Sequence, residues 1–180
     1  MDFDLPTQGM IQSALDLVKS SGFKRVGVIG GQRTIESCMY HDALTQAGIQ
    51  VVQRIAQPLS LCIESGDLDS PTLQMHLHRI TAPLRDQEAV LLACTHYPAI
   101  TELIQSMLPQ VTLLNPVDML IEHVERNWNL NAFEQGQTDQ ILTTGSKTIM
   151  MIASQSAFSV SLSDIDEVSL DLQDISNPLD

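Results

Sequence analysis

Positive charge is scarce in this sequence: nine Lys and Arg stand against 22 Asp and Glu in 180 residues, a formal net charge of -13. A surface so acidic repels nucleic acid and anionic lipid, so polyanion binding is excluded as a leading function. Cysteine is also sparse. The three present, Cys38, Cys62 and Cys94, are irregularly spaced, which suits neither a disulfide framework nor a metal site and fits a reducing compartment. No apolar run approaches the roughly 20 residues needed to cross a bilayer. The first residues, Met1 to Leu5, carry acid where a secretory leader needs basic side chains. A soluble, cytoplasmic protein that binds neither nucleic acid nor membrane is expected.

Hydrophobic residues make up 43% of the chain, enough at this length to bury one core but short of two complete domains. Apolar residues recur at helical spacing from Thr7 to Ser20, and Gly22 stops that helix. Arg25 to Ile29 is a β-branched strand running into Gly30-Gly31, followed by a helix from Thr34 to Ala47 closed by Gly48. Ile49 to Ile55 predicts a second strand, then a loop containing Pro58, then a helix from Pro71 to Leu84. Ala89 to Ala93 is wholly apolar, as strands buried on both faces of a parallel sheet are. Beyond it the alternation continues, with a helix from Pro98 to Met107, a strand from Val111 to Leu114 and a helix from Val117 to Trp128. A polar loop from Asn129 to Asp139 leads to Gln140–Gly145 and an apolar stretch from Thr148 to Phe158. Strands alternating with helices of this length predict an α/β fold with right-handed crossovers and a parallel sheet. Residues 159–180 hold Asp164, Asp166, Glu167, Asp171, Asp174 and Asp180 without a basic residue, which predicts a solvated, flexible acidic tail.

Ligands of such sheets bind beyond the carboxyl ends of the strands. Two segments lie there. Gly30 to Ser37 has glycines that allow close backbone approach and helix-start amides able to hold a carboxylate, although a glycine pair at such a turn is more often structural. The G-x-G-x-x-G spacing of a dinucleotide site is missing. The second segment places Cys94, Thr95 and His96 at the end of the most apolar strand, with Pro98 opening the next helix. The positive end of a helix and a nearby imidazole both favour a thiolate. Alone, Cys94 reads more readily as a small buried hydrophobe; beside Thr95, His96, Tyr97 and Pro98 the balance reverses and it reads as an acid/base. A thiol hydrolase is the weakest alternative, because residues two apart such as Cys94 and His96 need not face each other. His76 and His78, two apart on a predicted helix, point to different faces and share no metal.

The string Leu91-Leu92-Ala93-Cys94-Thr95-His96-Tyr97-Pro98 resembles the second-cysteine motif of glutamate racemases and their aspartate and hydantoin relatives. Val26 to Gly30 with Thr34, Ser37 and Tyr40, and Ile63-Glu64-Ser65-Gly66 after Pro58, resemble two further segments of that family in order and spacing. The resemblance covers roughly residues 7–158. It implies a cofactor-independent, metal-free amino-acid racemase acting on glutamate or aspartate, built as two α/β lobes that each supply one cysteine. By that resemblance Cys94 and His96 are catalytic, while Thr95, Thr34 and Glu64 contact or support the substrate site. The expected architecture is a parallel-sheet, three-layer lobe over 1–110, returning βα elements of the other lobe over 111–158, and the tail over 159–180.

The family's first-lobe cysteine turn and its opening Asp-Ser-Gly strand are missing. Cys38, expected inside a helix, and Cys62 are packing residues on this reading. The chain is then a truncated or degenerate protein, a lobe completed by a homodimer or a complementing chain, or an enzyme needing one cysteine. The competing expectation is a noncatalytic binding module that has kept the fold.

Overall fold

The computed structural model describes residues 8–128 and 140–169. The helix foreseen at the start is α1 (Met10–Ser21), and Gly22 ends it with φ of 79°. Strand β1 (Arg25–Gly30) follows, then α2 (Gln32–Glu36), α3 (Met39–Gln46), β2 (Gln50–Ile55), α4 (Gln57–Glu64), α5 (Pro71–Thr81) and β3 (Ala89–Ala93). A 3-10 turn at Ala82–Leu84 precedes β3, and a second (Tyr97–Ile100), α6 (Thr101–Met107), β4 (Thr112–Leu114) and α7 (Pro116–Asn127) complete the first unit. Its four strands are all parallel, in the order β2-β1-β3-β4.

Both faces of this sheet are covered. On β1 and β3 the side chains alternate: Val26, Val28, Ala89 and Leu91 join Ala14, Val18 and Leu44 of α1 and α3 in one core. Ile29, Val90 and Leu92 join Leu59, Leu77 and Ile104 of α4, α5 and α6 in the other. The period-2 pleat thus feeds two helix layers from one pair of strands. Gly27 belongs to this packing, since a Cβ there would lie 2.9 Å from Val90 Cγ2 and 3.0 Å from Leu84 Cδ2; the helix layer seats close because that carbon is missing.

Four expectations are corrected. The continuous helix from Thr34 to Ala47 is two helices, broken at Cys38, whose φ of 56° is left-handed. The break lets α3 bury Tyr40 and Leu44 while α2 buries nothing, and it leaves Cys38 exposed rather than packed. The Pro58 loop is α4, with proline in its first turn, where a missing N–H costs nothing. The helix expected from Pro98 is a 3-10 turn and then only seven residues of α-helix, so the field aimed at Cys94 is that of one tight turn. Finally, part of the acidic tail is structured. Strand β5 (Ile141–Thr143), helix α8 (Lys147–Phe158) and strand β6 (Ile165–Glu167) form a parallel βαβ unit, with Val168 N–H donating to Thr143 O at 2.8 Å and Lys147 N–H to Glu167 Oε1 at 2.8 Å. This two-stranded sheet is separate from the first, and no residue of α8 is buried. The expected division at 110/111 falls between α6 and β4, and the β3–β4 hydrogen bonds cross it. The predicted loop at 129–139 and the end of the tail, 170–180, lie outside the described residues.

At the amino end of the sheet, Glu88 Oε2 accepts from the backbone N–H groups of Lys24 and Arg25 at 2.7 and 2.8 Å. These bonds hold its carboxyl below the ordinary carboxylate range. A depressed folded-state pKa contributes stability above the unfolded value, and that contribution is lost as pH falls through the folded one. Glu88→Gln is expected to lower the melting midpoint at neutral pH, the gap from wild type closing below about pH 4. Melts from pH 2 to 8 check this; a gap constant across that range would show that charge is not the cause.

Candidate active site

The apolar run of β3 ends at Ala93, and the chain leaves the sheet with the Cys94 thiol half-buried. The turn that follows is tight: Tyr97 N–H donates to Cys94 O at 3.3 Å and Ala99 N–H to His96 O at 3.1 Å. It swings the imidazole back, so that His96 Nδ1 lies 3.5 Å from Cys94 Sγ. The two neighbours therefore do face each other, which their spacing alone left open, because the chain bends at Cys94 and turns through Thr95 and His96 directly after the strand. His96 Nε2 lies 3.5 Å from Glu64 Oε1, on the last residue of α4. With side chains 37% and 52% exposed, this contact is open to solvent and energetically modest. What it supplies is orientation, holding the other ring nitrogen toward the sulfur.

One turn back along α4, Ser60 is buried and places Oγ 3.7 Å from Cys94 Sγ. Beneath them Tyr97 is fully buried, and its hydroxyl, close to Ser60 and Cys94, makes no hydrogen bond of good geometry. Burial first, and then the charge of Cys94, pushes the Tyr97 phenol well above its ordinary range. It stays neutral as a dipole under the thiol.

The five predicted site residues are divided between two cavities. Thr34, Cys94 and Thr95 line one of about 350 Å³, together with Arg33 and Asn115. Asn115 also caps α7, its side chain accepting from Val117 N–H at 3.2 Å. Arg33 is the one charged side chain on this wall among the described residues. Glu64 and His96 line the other, about 570 Å³, against Ile149, Ala153 and Phe158 of α8. The sulfur–imidazole contact joins the two. The arrangement can pass a proton between a thiol on the first cavity and an imidazole–carboxylate pair behind it.

Ser60, Tyr97's hydroxyl and Arg33 were not singled out from the sequence. For Ser60 the signal existed: with α4 recognised from Pro58 at its start, Ser60 and Glu64 fall four apart on one helix face. The other two cysteines take no part. Cys62 is buried in the core, its thiol pushed up by burial and then by the charge of Asp67. Native alkylation with iodoacetamide is expected to label Cys38 and Cys94 and to reach Cys62 on the order of tenfold more slowly. Peptide mass spectrometry over time checks it; labelling of Cys62 as fast as Cys38 would contradict its burial.

A model of the Asp/Glu/hydantoin racemase family matches residues 2–124. A glutamate racemase of Thermus thermophilus is 32% identical over 148 residues, covering 79% of this chain and 55% of that protein. Among solved structures, glutamate racemase isoform RacE1 from Bacillus anthracis superposes with a TM-score of 0.79 at 22% identity, over 93% of this chain and 66% of its own. Glutamate racemase from Francisella tularensis, in complex with D-glutamate, does so at 0.76 and 24% identity, over 91% and 64%. The chain spans about half the length of the curated relatives it matches.

Proposed function

The chain belongs to the Asp/Glu/hydantoin racemase family, and we propose that it is the Cys94 side of a cofactor-independent racemase acting on glutamate or aspartate. The observation that carries this is the line from Cys94 through His96 to Glu64 behind a small cavity at the sheet's carboxyl edge. An amino acid seated against Thr34 and Thr95 presents its α-carbon to the thiolate, with Arg33 on the same wall to hold a carboxylate. Cys94 accepts the α-proton on one face, and the electron pair left on carbon is stabilised by placement and by the surrounding donors. Return of a proton to the opposite face inverts the centre. Among the described residues no second thiol lines this cavity, so the second base comes from a complementing chain, from a second copy, or from solvent. On this reading β5, α8 and β6 are the returning elements of the other lobe.

His96 faces away from the substrate cavity and is a positioning residue. His96→Gln is expected to lower kcat about tenfold, with KM within about twofold of wild type. A raised KM at unchanged kcat would place the ring on the substrate instead.

A second reading, a noncatalytic module that has kept the fold, is favoured by the half-length match to the curated relatives. α-Proton exchange in deuterium oxide, followed by NMR for both enantiomers of glutamate and aspartate, separates the two. Exchange supports the racemase. Complete silence of the full chain supports the module.

A further inference from the structure

At the other end of α4 from Glu64, positive charge gathers in this acidic protein. The carboxyl end of β2 and the facing side of α5 enclose a cavity of about 470 Å³ whose polar wall is Gln53, Arg54, His76 and Arg79. His76 and Arg79 are three apart on α5 and so share one face. No Asp or Glu lines the cavity among the described residues, and neither arginine is in an ion pair there. Two atoms of this wall are sealed from solvent without a hydrogen-bond partner, Arg54 Nε and Gln53 Oε1. The Gln53 amide nitrogen is already committed to Ile35 O at 3.2 Å, so turning the amide over would exchange one orphan for another. A buried guanidinium N–H and a buried carbonyl left unpaired are costly, and a bound ligand that pairs with them removes that cost. Ile35 and Ile80 close the wall with apolar surface, which strengthens any charge–charge contact formed inside.

We propose that this cavity binds a small phosphorylated molecule. Arg54 and Arg79 hold the oxygens of a phosphoryl dianion in the paired geometry that guanidinium groups favour, and His76 adds a further donor. The Gln53 carbonyl accepts from a hydroxyl or amide N–H elsewhere on the ligand. Two guanidiniums and an imidazole with no acidic neighbour match a dianion better than a single carboxylate. The site stands on residues separate from Cys94 and is independent of the racemase reading.

The test is isothermal titration of the full chain with inorganic pyrophosphate and, in a separate arm, citrate. Saturable pyrophosphate binding is expected, weakened about tenfold or more by Arg79→Gln and by Arg54→Gln, and unchanged by Arg85→Gln, an exposed arginine outside the cavity. Arg79 is exposed, so its variant remains decisive should Arg54→Gln fail to fold. Absence of saturable binding up to about 10 mM, or binding insensitive to Arg79→Gln, overturns the site. Citrate binding as tightly as pyrophosphate, with the same Arg79 dependence, overturns the phosphate assignment.

Discussion

Replacing Cys94 by serine is expected to reduce deuterium incorporation at the α-carbon of glutamate or aspartate by about 10²- to 10⁴-fold, the range for loss of a positioned acid/base. Serine keeps the size of the side chain and its place at the end of β3, so the cavity between Thr34 and Thr95 persists. What is lost is the sulfhydryl as acid/base, because hydroxyls are far weaker acids than thiols. Cys38→Ser is the matched control: Cys38 is exposed at the α2–α3 turn and does not line the cavity, and its variant is expected to retain wild-type exchange. If Cys94→Ser exchanges as fast as wild type, the sulfur is not the base and the proposed role falls.

Truncating Leu91 to alanine is expected to cost about 3 kcal/mol of stability, within the roughly 2–5 kcal/mol found for buried Leu→Ala changes. Leu91 is completely buried at the middle of the sheet, in register with Val28 of β1 and Leu114 of β4. Its side chain belongs to the core under α1 and α3. The four strands and two helix layers around it leave little room for collapse into the void, so transfer and cavity terms both count. Ile152→Ala on α8 provides the contrast, since that side chain is 57% exposed, and its change is expected within about 0.5 kcal/mol. Urea titration of the three proteins reads both values. A loss for Leu91→Ala no larger than that for Ile152→Ala would mean the four-stranded sheet is not the centre of the fold. A large loss for Ile152→Ala would mean α8 is covered in solution, as a complementing lobe would require.

The features legible in the residues were those written over short stretches of chain. Ala89 to Ala93 could be read as a central parallel strand because burial on both faces demands an unbroken apolar run. That run ends where Cys94 begins, so the thiol's place at the sheet's carboxyl edge followed with it. Gly22 and Gly48 marked helix ends because both take positive φ. The resemblance around Cys94, Thr34 and Glu64 pointed to the racemase family, to which the match over residues 2–124 assigns the chain.

Where local signals were balanced, the fold decided. Pro58 suits a loop or a first helical turn equally, and the burial of Leu59 and Ile63 against the sheet selected the helix. Cys38 carries no sign of a left-handed backbone; the need to aim α3 at the core imposed it.

The amino-acid order alone thus determined the alternating elements, the apolar central strand and the thiol at its end, because hydrophobic period and turn chemistry act between residues a few positions apart. Only the tertiary structure decided that His96 turns toward Cys94, that Ser60 and Glu64 reach them across some thirty residues of chain, and that two cavities rather than one divide the site. Those distances depend on how α4 crosses over the sheet and on a single tight turn after β3, and a crossover's landing point is set by packing against the opposite face, which no local pattern encodes.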